Sequence, residues 1–463
     1  MAEYISSEKG KPMLKIDGFL FVKDKQVGNK IYWKCNKFAS YCKSRTITND
    51  GEVIKVPREH NHSGDAVNAE VRSFMNKVKS DAKESRDSPQ YVISAAASQL
   101  SESAAQALPQ ISSIKRTIHN VRQKERAGLA NPIHRREIVL TTDQTKTHKG
   151  EQFLLYDSGH YDDRMLIFAT QNNLSLLEKS ANLQLDGIFK TVPQLFEQLY
   201  TVHAVKNNYT IPVVYALLPD KRAETYRRLF AQIKSMVPNL QVSTITSDFE
   251  LAAITAVKEE FSTASHYGCL FHLGQCLYRK ICDCGLKVRY DTDSEFALKI
   301  RMSLALAFVP VDKVTESFEA LLDSDIYPQD VNPILDYFED SWIGRPSRRH
   351  RRSPMFEISM WSCFERVNTD LPRTNNALEG WHRDFLQQMS SHHPTIWKFL
   401  DALKREQGLQ EIHIAKVKAG STNMKSSMKY RDLNERIKKL VATFEEYSVL
   451  EYLRAVAHNF LHL

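Results

Sequence analysis

A chain of 463 residues, 42% hydrophobic and 25% charged, has the composition of a folded protein and room for two to four domains. Its longest apolar stretch, Ile211 to Leu218, falls far short of the ~18 residues of a membrane-spanning helix, so no membrane partner is expected. The opening Met1-Ala-Glu-Tyr-Ile-Ser-Ser-Glu8 carries two acids and no apolar signal core. Seven cysteines, an odd number, do not suggest a secreted disulfide framework. In a reducing compartment they read as zinc ligands, core thiols or motif residues. The net charge of +8 is uneven, with twelve Lys and Arg against seven Asp and Glu in residues 1–62. Such a basic end fits a polyanionic partner, nucleic acid first, or an ordinary Lys-rich surface.

Residues 14–62 read as short strands. Phe19, Phe21, Tyr32, Trp33, Ile47, Val53, Ile54 and Val56 alternate with turn signals at Asp24, Gly28-Asn29 and Asn49-Asp50-Gly51. A segment this small needs a metal or disulfide staple. Residues 66–130 turn helical, with Val67, Val71, Phe74 and Val78 on one stripe and Ile111, Ile114, Ile118 and Val121 on another. Breaks fall at Ser88-Pro89 and Leu108-Pro109. Between about residues 151 and 270 strands alternate with helices, an α/β pattern. Strands are expected at Leu183–Phe189, Leu199–Val205, Ile211–Leu218 and Val242–Ser247. Two helices carry stripes of Tyr226, Leu229, Phe230 and Ile233, and of Leu251, Ile254, Val257 and Phe261. From residue 294 onward the pattern is helical, apart from a basic irregular stretch at 344–354.

Six residues separate Cys35 from Cys42, and His60-Asn61-His62 follows. Two thiolates and two imidazoles make a closed tetrahedral set of the kind structural zinc prefers. Residues i and i+2 of an extended strand face the same way, so both imidazoles can reach one ion. The plainer alternative has exposed histidines and two small core thiols. Gly18-Phe19-Leu20-Phe21, Tyr32-Trp33-Lys34-Cys35, Cys42-Lys43-Ser44-Arg45 and His60-Asn61-His62 together resemble a FLYWCH-type zinc finger over residues 14–62. The resemblance implies Cys35, Cys42, His60 and His62 as ligands of a small zinc-held β-sheet that binds DNA, with Lys43 and Arg45 as candidate DNA contacts.

Three acids stand at the ends of regular elements: Asp186 near the end of Asn182–Phe189, Asp248 closing Val242–Ser247, and Glu379 in Arg373-Thr-Asn-Asn-Ala-Leu-Glu379-Gly-Trp-His382. Each has a structural alternative. Asp186-Gly187 is a turn dipeptide, Asp248 can cap the helix after it, and Asn376 with Glu379 has capping-box spacing. Together, two carboxylates on adjacent strand ends and one from a helix can hold two Mg²⁺ ions for an in-line phosphoryl displacement.

Asp186-Gly-Ile-Phe-Lys190, Pro193-Gln-Leu-Phe196, Gln198-Leu-Tyr-Thr201, Pro212-Val-Val-Tyr215-Ala-Leu-Leu218, Asp248-Phe-Glu250 and Gly268-Cys-Leu-Phe-His272 follow in order. The run resembles a Mutator-like (MULE) transposase domain over roughly residues 150–400. The resemblance implies a ribonuclease-H-like α/β core with a large helical insertion and helical tail. It also implies a triad of Asp186, Asp248 and Glu379 holding magnesium or manganese, and a Cys-x-x-His element at Cys269 and His272 whose role is open. Two positions depart from the family pattern. Ile188 stands where a smaller or hydroxyl-bearing residue is common, and His382 where an Asn is common. Cys269 and His272 also invite a second zinc reading with Cys282 and Cys284, against the apolar helix start that surrounds them.

The densest basic run holds Arg345, Arg348, Arg349, Arg351 and Arg352. It reads as a nuclear-import signal, a phosphate-binding loop or a solvated loop, with Arg348, Arg349, Arg351 and Arg352 as DNA-contact candidates. Lys115, Arg116, Arg122, Lys124 and Arg126 crowd the last helix of the 66–130 section, in the manner of a DNA-binding helical unit. The expected layout is a finger at 1–66, a helical section at 67–150, the core at 151–293, the insertion at 294–370, and the last acid-bearing helix and tail at 371–463. The expected function is DNA strand nicking and strand transfer in the nucleus, with zinc and magnesium or manganese as cofactors and transposon-end DNA as partner. A homo-oligomer is compatible with this. The alternative is a domesticated, catalytically silent DNA-binding or regulatory protein.

Overall fold

The computed structural model describes residues 3–7, 11–84, 87–98, 100–125, 131–189, 191–348, 350–369, 376–389, 393–421 and 428–460. The chain forms two compact units, Met1–Ala130 and Asn131–Leu463.

The first unit is a six-stranded antiparallel meander followed by four helices. Its strands are β1 (Glu3–Ser6), β2 (Pro12–Ile16), β3 (Phe19–Val27), β4 (Lys30–Cys35), β5 (Arg45–Asn49) and β6 (Glu52–Lys55), hydrogen-bonded in sequence order. The turns at Gly28-Asn29 and Asp50-Gly51 are where expected. Asp24 is not a turn residue: it lies inside β3 at a register shift between Lys23 and Lys25, and its carboxylate pairs with Lys34 at 2.9 Å. Leu14, Phe21, Trp33, Cys35 and Cys42 form the sheet's core. The helices are α1 (Ala66–Glu84), α2 (Pro89–Ala97), α3 (Glu102–Gln106) and α4 (Ile111–Glu125). Ser88 caps α2 by accepting from the Tyr91 N–H, with Pro89 in the first turn, a position where proline's missing N–H costs no hydrogen bond. Met13 and Leu20 of the sheet bury against Ala69 of α1, so the expected boundary at residue 66 runs through a shared apolar contact.

The second unit is built on a seven-stranded mixed sheet. Its strands are β7 (Leu154–Asp157), β8 (Leu166–Phe168), β9 (Asn182–Ile188), β10 (Gln198–Lys206), β11 (Tyr209–Leu218), β12 (Thr244–Ser247) and β13 (Ser265–Gly268), ordered β13-β12-β9-β10-β11-β8-β7. β10 runs antiparallel to β9 and β11, while β12 is parallel to β9 and β13 parallel to β12. The order β11-β10-β9-β12-β13 is the ribonuclease-H-like arrangement expected for the core. Helices α5 (Gln171–Glu178), α6 (Ala223–Met236) and α7 (Leu251–Glu260) contribute side chains to the apolar core built on this sheet. Tyr226, Leu229, Phe230 and Ile233 are buried as their spacing requires. Ile111 and Leu251 instead stand exposed, because each is the first residue of its helix and projects beyond the packed face.

The helical remainder comprises α8 (Leu270–Asp283), α9 (Lys287–Thr292), α10 (Ser294–Ala305), α11 (Val314–Leu322), α12 (Asn332–Phe338), α13 (Ile358–Trp361), α14 (Phe364–Asn368), α15 (Asn376–Met389), α16 (Ile396–Lys418), α17 (Met428–Ala442) and α18 (Val449–Ala457). The insertion and tail share an apolar core of their own, from Leu273 and Leu277 of α8 to Leu453 and Val456 of α18. No described helix is long and apolar enough to cross a membrane.

Arg164 ties the start of this unit together. It is 1% exposed, donates to both Asp157 carboxylate oxygens at 2.9 and 2.6 Å, and donates to the Arg135 and Ile138 carbonyls. A buried guanidinium is costly once its counter-charge is removed. Asp157→Ala is therefore expected to destabilise the Asn131–Leu463 unit by about 3 kcal/mol, read as a lowered midpoint in urea unfolding with an unchanged slope.

Candidate metal centres and the carboxylate site

The first cluster joins Cys35, Cys42, His60 and His62, whose ligand atoms all lie within 4.8 Å of one another. Cys35 ends β4, Cys42 follows a short turn, and the His60-Asn61-His62 segment follows β6. The Cys35 sulfur is 3.2 Å from His62 Nε2, the Cys42 sulfur 3.4 Å from His60 Nδ1, and these two nitrogens are 3.3 Å apart. A tetrahedral Zn²⁺ with bonds of about 2.3 Å to sulfur and about 2.0 Å to nitrogen sets S···N near ~3.5 Å and N···N near ~3.3 Å. The donor set therefore fits zinc in type and spacing. The other His62 nitrogen lies 2.8 Å from the Ser63 carbonyl, which fixes the ring and its tautomer. Phe19 stacks on His60, ring centroids 3.7 Å apart. Burial lowers the His60 pKa, which favours the neutral imidazole a metal binds.

The second cluster is built on the sheet's carboxyl edge. Thr246 of β12 pairs with Gln184 of β9 in a parallel ladder. The ladder ends there, and Asp186 and Asp248 each follow two residues later, near enough that the Asp248 charge acts on the Asp186 carboxyl. Asp186 is not in a turn: it lies inside β9, paired with Thr201 of β10, and the Thr201 hydroxyl donates to its carbonyl at 3.2 Å. Asp248 does not cap α7. That helix starts at Leu251, and Glu250 occupies the cap position, where its carboxylate accepts from Tyr226 at 2.7 Å. Neither acid has the structural role that its local sequence allowed.

Helix α15 delivers Glu379. Leu378, Trp381, Phe385 and Met389 are its buried stripe, and Trp381 Nε1 donates to Glu406 of α16 at 2.6 Å. With that face locked, Glu379 and His382, three residues apart, share a neighbouring face. His382 Nδ1 lies 3.9 Å from Asp186 Oδ2. Glu379 Oε1 lies 3.7 Å from His272 Nε2 of α8. Asp186, His272 and Glu379 thus gather with ligand atoms within 4.8 Å of one another, and Asp248 lies outside that group.

Asp186 is 4% exposed. Its Oδ1 accepts from the Gly187 N–H at 2.8 Å, whereas its buried Oδ2 accepts no hydrogen bond among the described residues. Burial pushes this carboxyl well above the usual range, and the charges of Asp248 and Glu379 push it further. Burial likewise raises Asp248. It lowers His272, holding the imidazole neutral, and lowers His382 to about 4.

α8 is anchored at its start. Cys269 is buried at the N-cap of α8, and its N–H donates to the Ser247 carbonyl at 2.9 Å. The buried Arg366 donates to the Gly268 carbonyl at 3.0 Å. Gly268 is required by close approach: a Cβ there would lie 2.2 Å from the Phe249 ring, beside Asp248. Cys269 and Cys284 flank a helix of 14 residues, about 21 Å of rise, so these cysteines cannot share one ion with His272.

The basic residues divide. Lys43, Arg45, Arg348 and Arg352 are exposed. Arg351 donates to Glu319, Glu339 and the Gly344 carbonyl, and Arg345 pairs with Asp336 and Asp340, so both hold the 344–354 loop. Arg122 donates to the Ala82 and Asp87 carbonyls and fastens α4 to the end of α1, while Lys115 and Arg116 are exposed. Arg349, Arg126 and the Lys124 side chain lie outside the described residues. The sequence reading missed Glu406, which anchors Trp381, and the closeness of His382 to Asp186. The departure at 382 was the signal for the latter.

Residues 4–62 match the FLYWCH zinc finger domain and residues 182–275 the MULE transposase domain. The chain carries both. Over 77 residues it is 35% identical to FLYWCH-type zinc finger-containing protein 1 of Mus musculus, and over 88 residues 33% identical to FLYWCH-type zinc finger-containing protein 1 of Homo sapiens. The matched stretches are 16% and 19% of this chain and span only 11% and 12% of those proteins. The MULE match contains Asp186, Asp248, Cys269 and His272 and ends before Glu379.

With this donor set, folding of the sheet is expected to depend on the metal. One equivalent of Zn²⁺ is expected to bind the Met1–Ala130 unit, and Cys42→Ser to abolish the sheet. A unit that keeps dispersed amide resonances from residues 11–62 in excess chelator would contradict this. Gly268→Ala is expected to displace Phe249 and lower thermal stability by more than the usual exposed-site change of about 0.5 kcal/mol, measured by calorimetry.

Proposed function

We propose that this protein binds DNA in the nucleus and performs metal-dependent phosphoryl transfer on it, nicking a strand and joining the freed 3′-hydroxyl to target DNA. The observation that carries the reading is Asp186: a carboxylate inside the sheet with a buried oxygen that accepts no hydrogen bond among the described residues, close enough to feel the charge of Asp248 and gathered with Glu379 from the far side of the helical insertion. Desolvated acids at such close quarters are unfavourable without a cation. Hard divalent ions, magnesium or manganese, match their oxygen donors. Bound ions supply an activated water and stabilise the leaving oxygen of an in-line displacement. Asp186, Asp248 and Glu379 would hold them.

The zinc-held sheet, with Lys43 and Arg45 exposed, and the exposed Arg348 and Arg352 supply phosphate contacts that position DNA. A second reading, a transposase-derived DNA-binding regulator that does not cut, is favoured by one observation: Asp248 stands outside the tight group of donors.

The test is nicking and strand transfer on DNA from the flanks of the gene. Asp186→Asn, Asp248→Asn and Glu379→Gln are each expected to abolish Mg²⁺- or Mn²⁺-dependent nicking nearly as fully as the triple variant, because residues acting as a unit are non-additive. DNA affinity without metal should be unchanged. No nicking by the wild-type chain on any flanking DNA would favour the binding protein. Arg348→Ala with Arg352→Ala should reduce the slope of log K against log salt by about 2, whereas Arg351→Ala should act mainly through stability.

A further inference from the structure

The transposase reading asks for oxygen ligands, yet the atoms closest to Glu379 and Asp186 include nitrogen. Asp186, His272 and Glu379 each present a ligand atom within 4.8 Å of the other two. This tight group includes His272 and leaves out Asp248.

Three observations say what the imidazole is doing there. First, 3.7 Å between His272 Nε2 and Glu379 Oε1 is too long for a hydrogen bond. It is close to the spacing of two donors on one ion: bonds of about 2.1 Å place adjacent ligands about 3.0–3.5 Å apart and opposite ones about 4.2 Å apart. Second, Asp186 is 4% exposed, and its Oδ2 accepts no hydrogen bond among the described residues. That oxygen faces α15, the helix that carries Glu379, with His382 at 3.9 Å. A buried lone pair directed into a group of donors points to a ligand between them. Third, His272 is held in place. It lies in the first turn of α8, behind the Cys269 N–H bond to Ser247 and beside the Gly268–Phe249 close approach. The chain therefore fixes the backbone that carries this ring at the strand-end edge, while its Nδ1 is buried and makes no hydrogen bond among the described residues.

We infer that His272 is a direct ligand of the ion held by Asp186 and Glu379, and that the resulting one-nitrogen, two-oxygen set selects Mn²⁺ over Mg²⁺. The inference rests on the proposed reading that these acids hold a catalytic cation, and it names which cation and which further ligand. Mg²⁺ keeps to oxygen donors and water in a strict octahedron. Imidazole nitrogen suits first-row transition ions, and among them Mn²⁺ also accepts carboxylate and water ligands. Within the Cys-x-x-His element the two residues then divide the work, Cys269 fixing the start of α8 and His272 reaching the ion.

The test uses the full chain with its finger zinc-loaded, MnCl₂ and MgCl₂ as the added ions, and no DNA. Pulsed electron paramagnetic resonance of bound Mn²⁺ is expected to show the coupling of a directly ligated imidazole nitrogen in the wild-type chain. The coupling should vanish in His272→Ala and persist in His382→Ala. Calorimetric titration should show Mn²⁺ binding on the order of 10-fold or more tighter than Mg²⁺, with His272→Ala losing most of that preference while changing Mg²⁺ affinity little. Mn²⁺ that binds the wild-type chain and is lost in Asp186→Asn, yet shows no nitrogen coupling, overturns the inference and leaves the carboxylate reading standing. Coupling lost in His382→Ala and kept in His272→Ala assigns the nitrogen to the other ring and also overturns it. Failure of Mn²⁺ to bind, or binding indifferent to Asp186→Asn and Glu379→Gln, overturns both readings. If the buried substitution at His272 unfolds the chain, a wild-type spectrum without nitrogen coupling still overturns the inference, and wild-type coupling that persists in His382→Ala still upholds it.

Discussion

The parallel pairing of β9 with β12 is the constraint on which the second unit turns. It brings Asp186, inside β9, and Asp248, just past the end of β12, to the sheet's carboxyl edge, the edge where open α/β sheets bind their ligands. Neither position is comfortable for a charge. Burial raises both carboxyls, and the neighbouring acids raise Asp186 further. Solvent cannot relieve Asp186 Oδ2, and no described donor reaches it. Only a proton or a cation can. A site selected for stability alone would place an amide or an apolar residue there.

The rest of the unit brings its remaining donors to that edge by packing. The insertion lies between His272 on α8 and Glu379 on α15, and it has its own apolar core. Its length therefore need not be matched to the site; what matters is where its two ends are tied. One end is tied at β12 and β13 by the Cys269–Ser247 bond and the Arg366 bond to Gly268. The other is tied by Trp381, which stacks on Phe385 with ring centroids 5.3 Å apart and donates to the buried Glu406. A buried carboxylate accepting an indole N–H and the Gln388 and Gln410 amides has three donors to offset its desolvation. It holds α15 against α16 at the turn that carries Glu379.

Much of this was legible in the residues. Strand-forming runs around Asp186 and Asp248 and the stripes of α6 read directly, because burial on a sheet or helix face imposes a period on the sequence. The four zinc donors read from their types together with the resemblance to FLYWCH-type fingers, although His60-Asn61-His62 lies in a bend past β6 and not in the extended strand its i, i+2 spacing suggested. What could not be read was which of two compatible local roles each acid takes. Asp186-Gly187 suits a turn and Asp248 a cap, and only the pairing with Thr201 and the start of α7 at Leu251 decide against those roles. Long-range partners were equally hidden. Arg351 sits in a run that looks uniformly basic, but Glu319 lies 32 residues away in sequence and claims its guanidinium. The contact that crosses the boundary expected at residue 66 was hidden for a similar reason. Ala69 carries no signal of its own, yet it is the small residue against which Met13 and Leu20 close.

The two donor clusters differ in a way that would let one chain keep two metals apart. Two thiolates and two imidazoles form a closed set matched to a borderline-soft ion in four-fold coordination, with no position for water. Two carboxylates and one imidazole form an open set, with positions left for water and for substrate oxygens. Zn²⁺ outranks Mn²⁺ on both sets by the general affinity order, so ligand softness has to separate them. Cys35 and Cys42 provide that softness in the finger. The carboxylate site has no sulfur within its group of donors, Cys269 being buried at the cap of α8 and bonded through its backbone to Ser247. On the proposed reading, zinc in limited supply therefore partitions to the finger and leaves the open site to a harder ion with exchangeable waters.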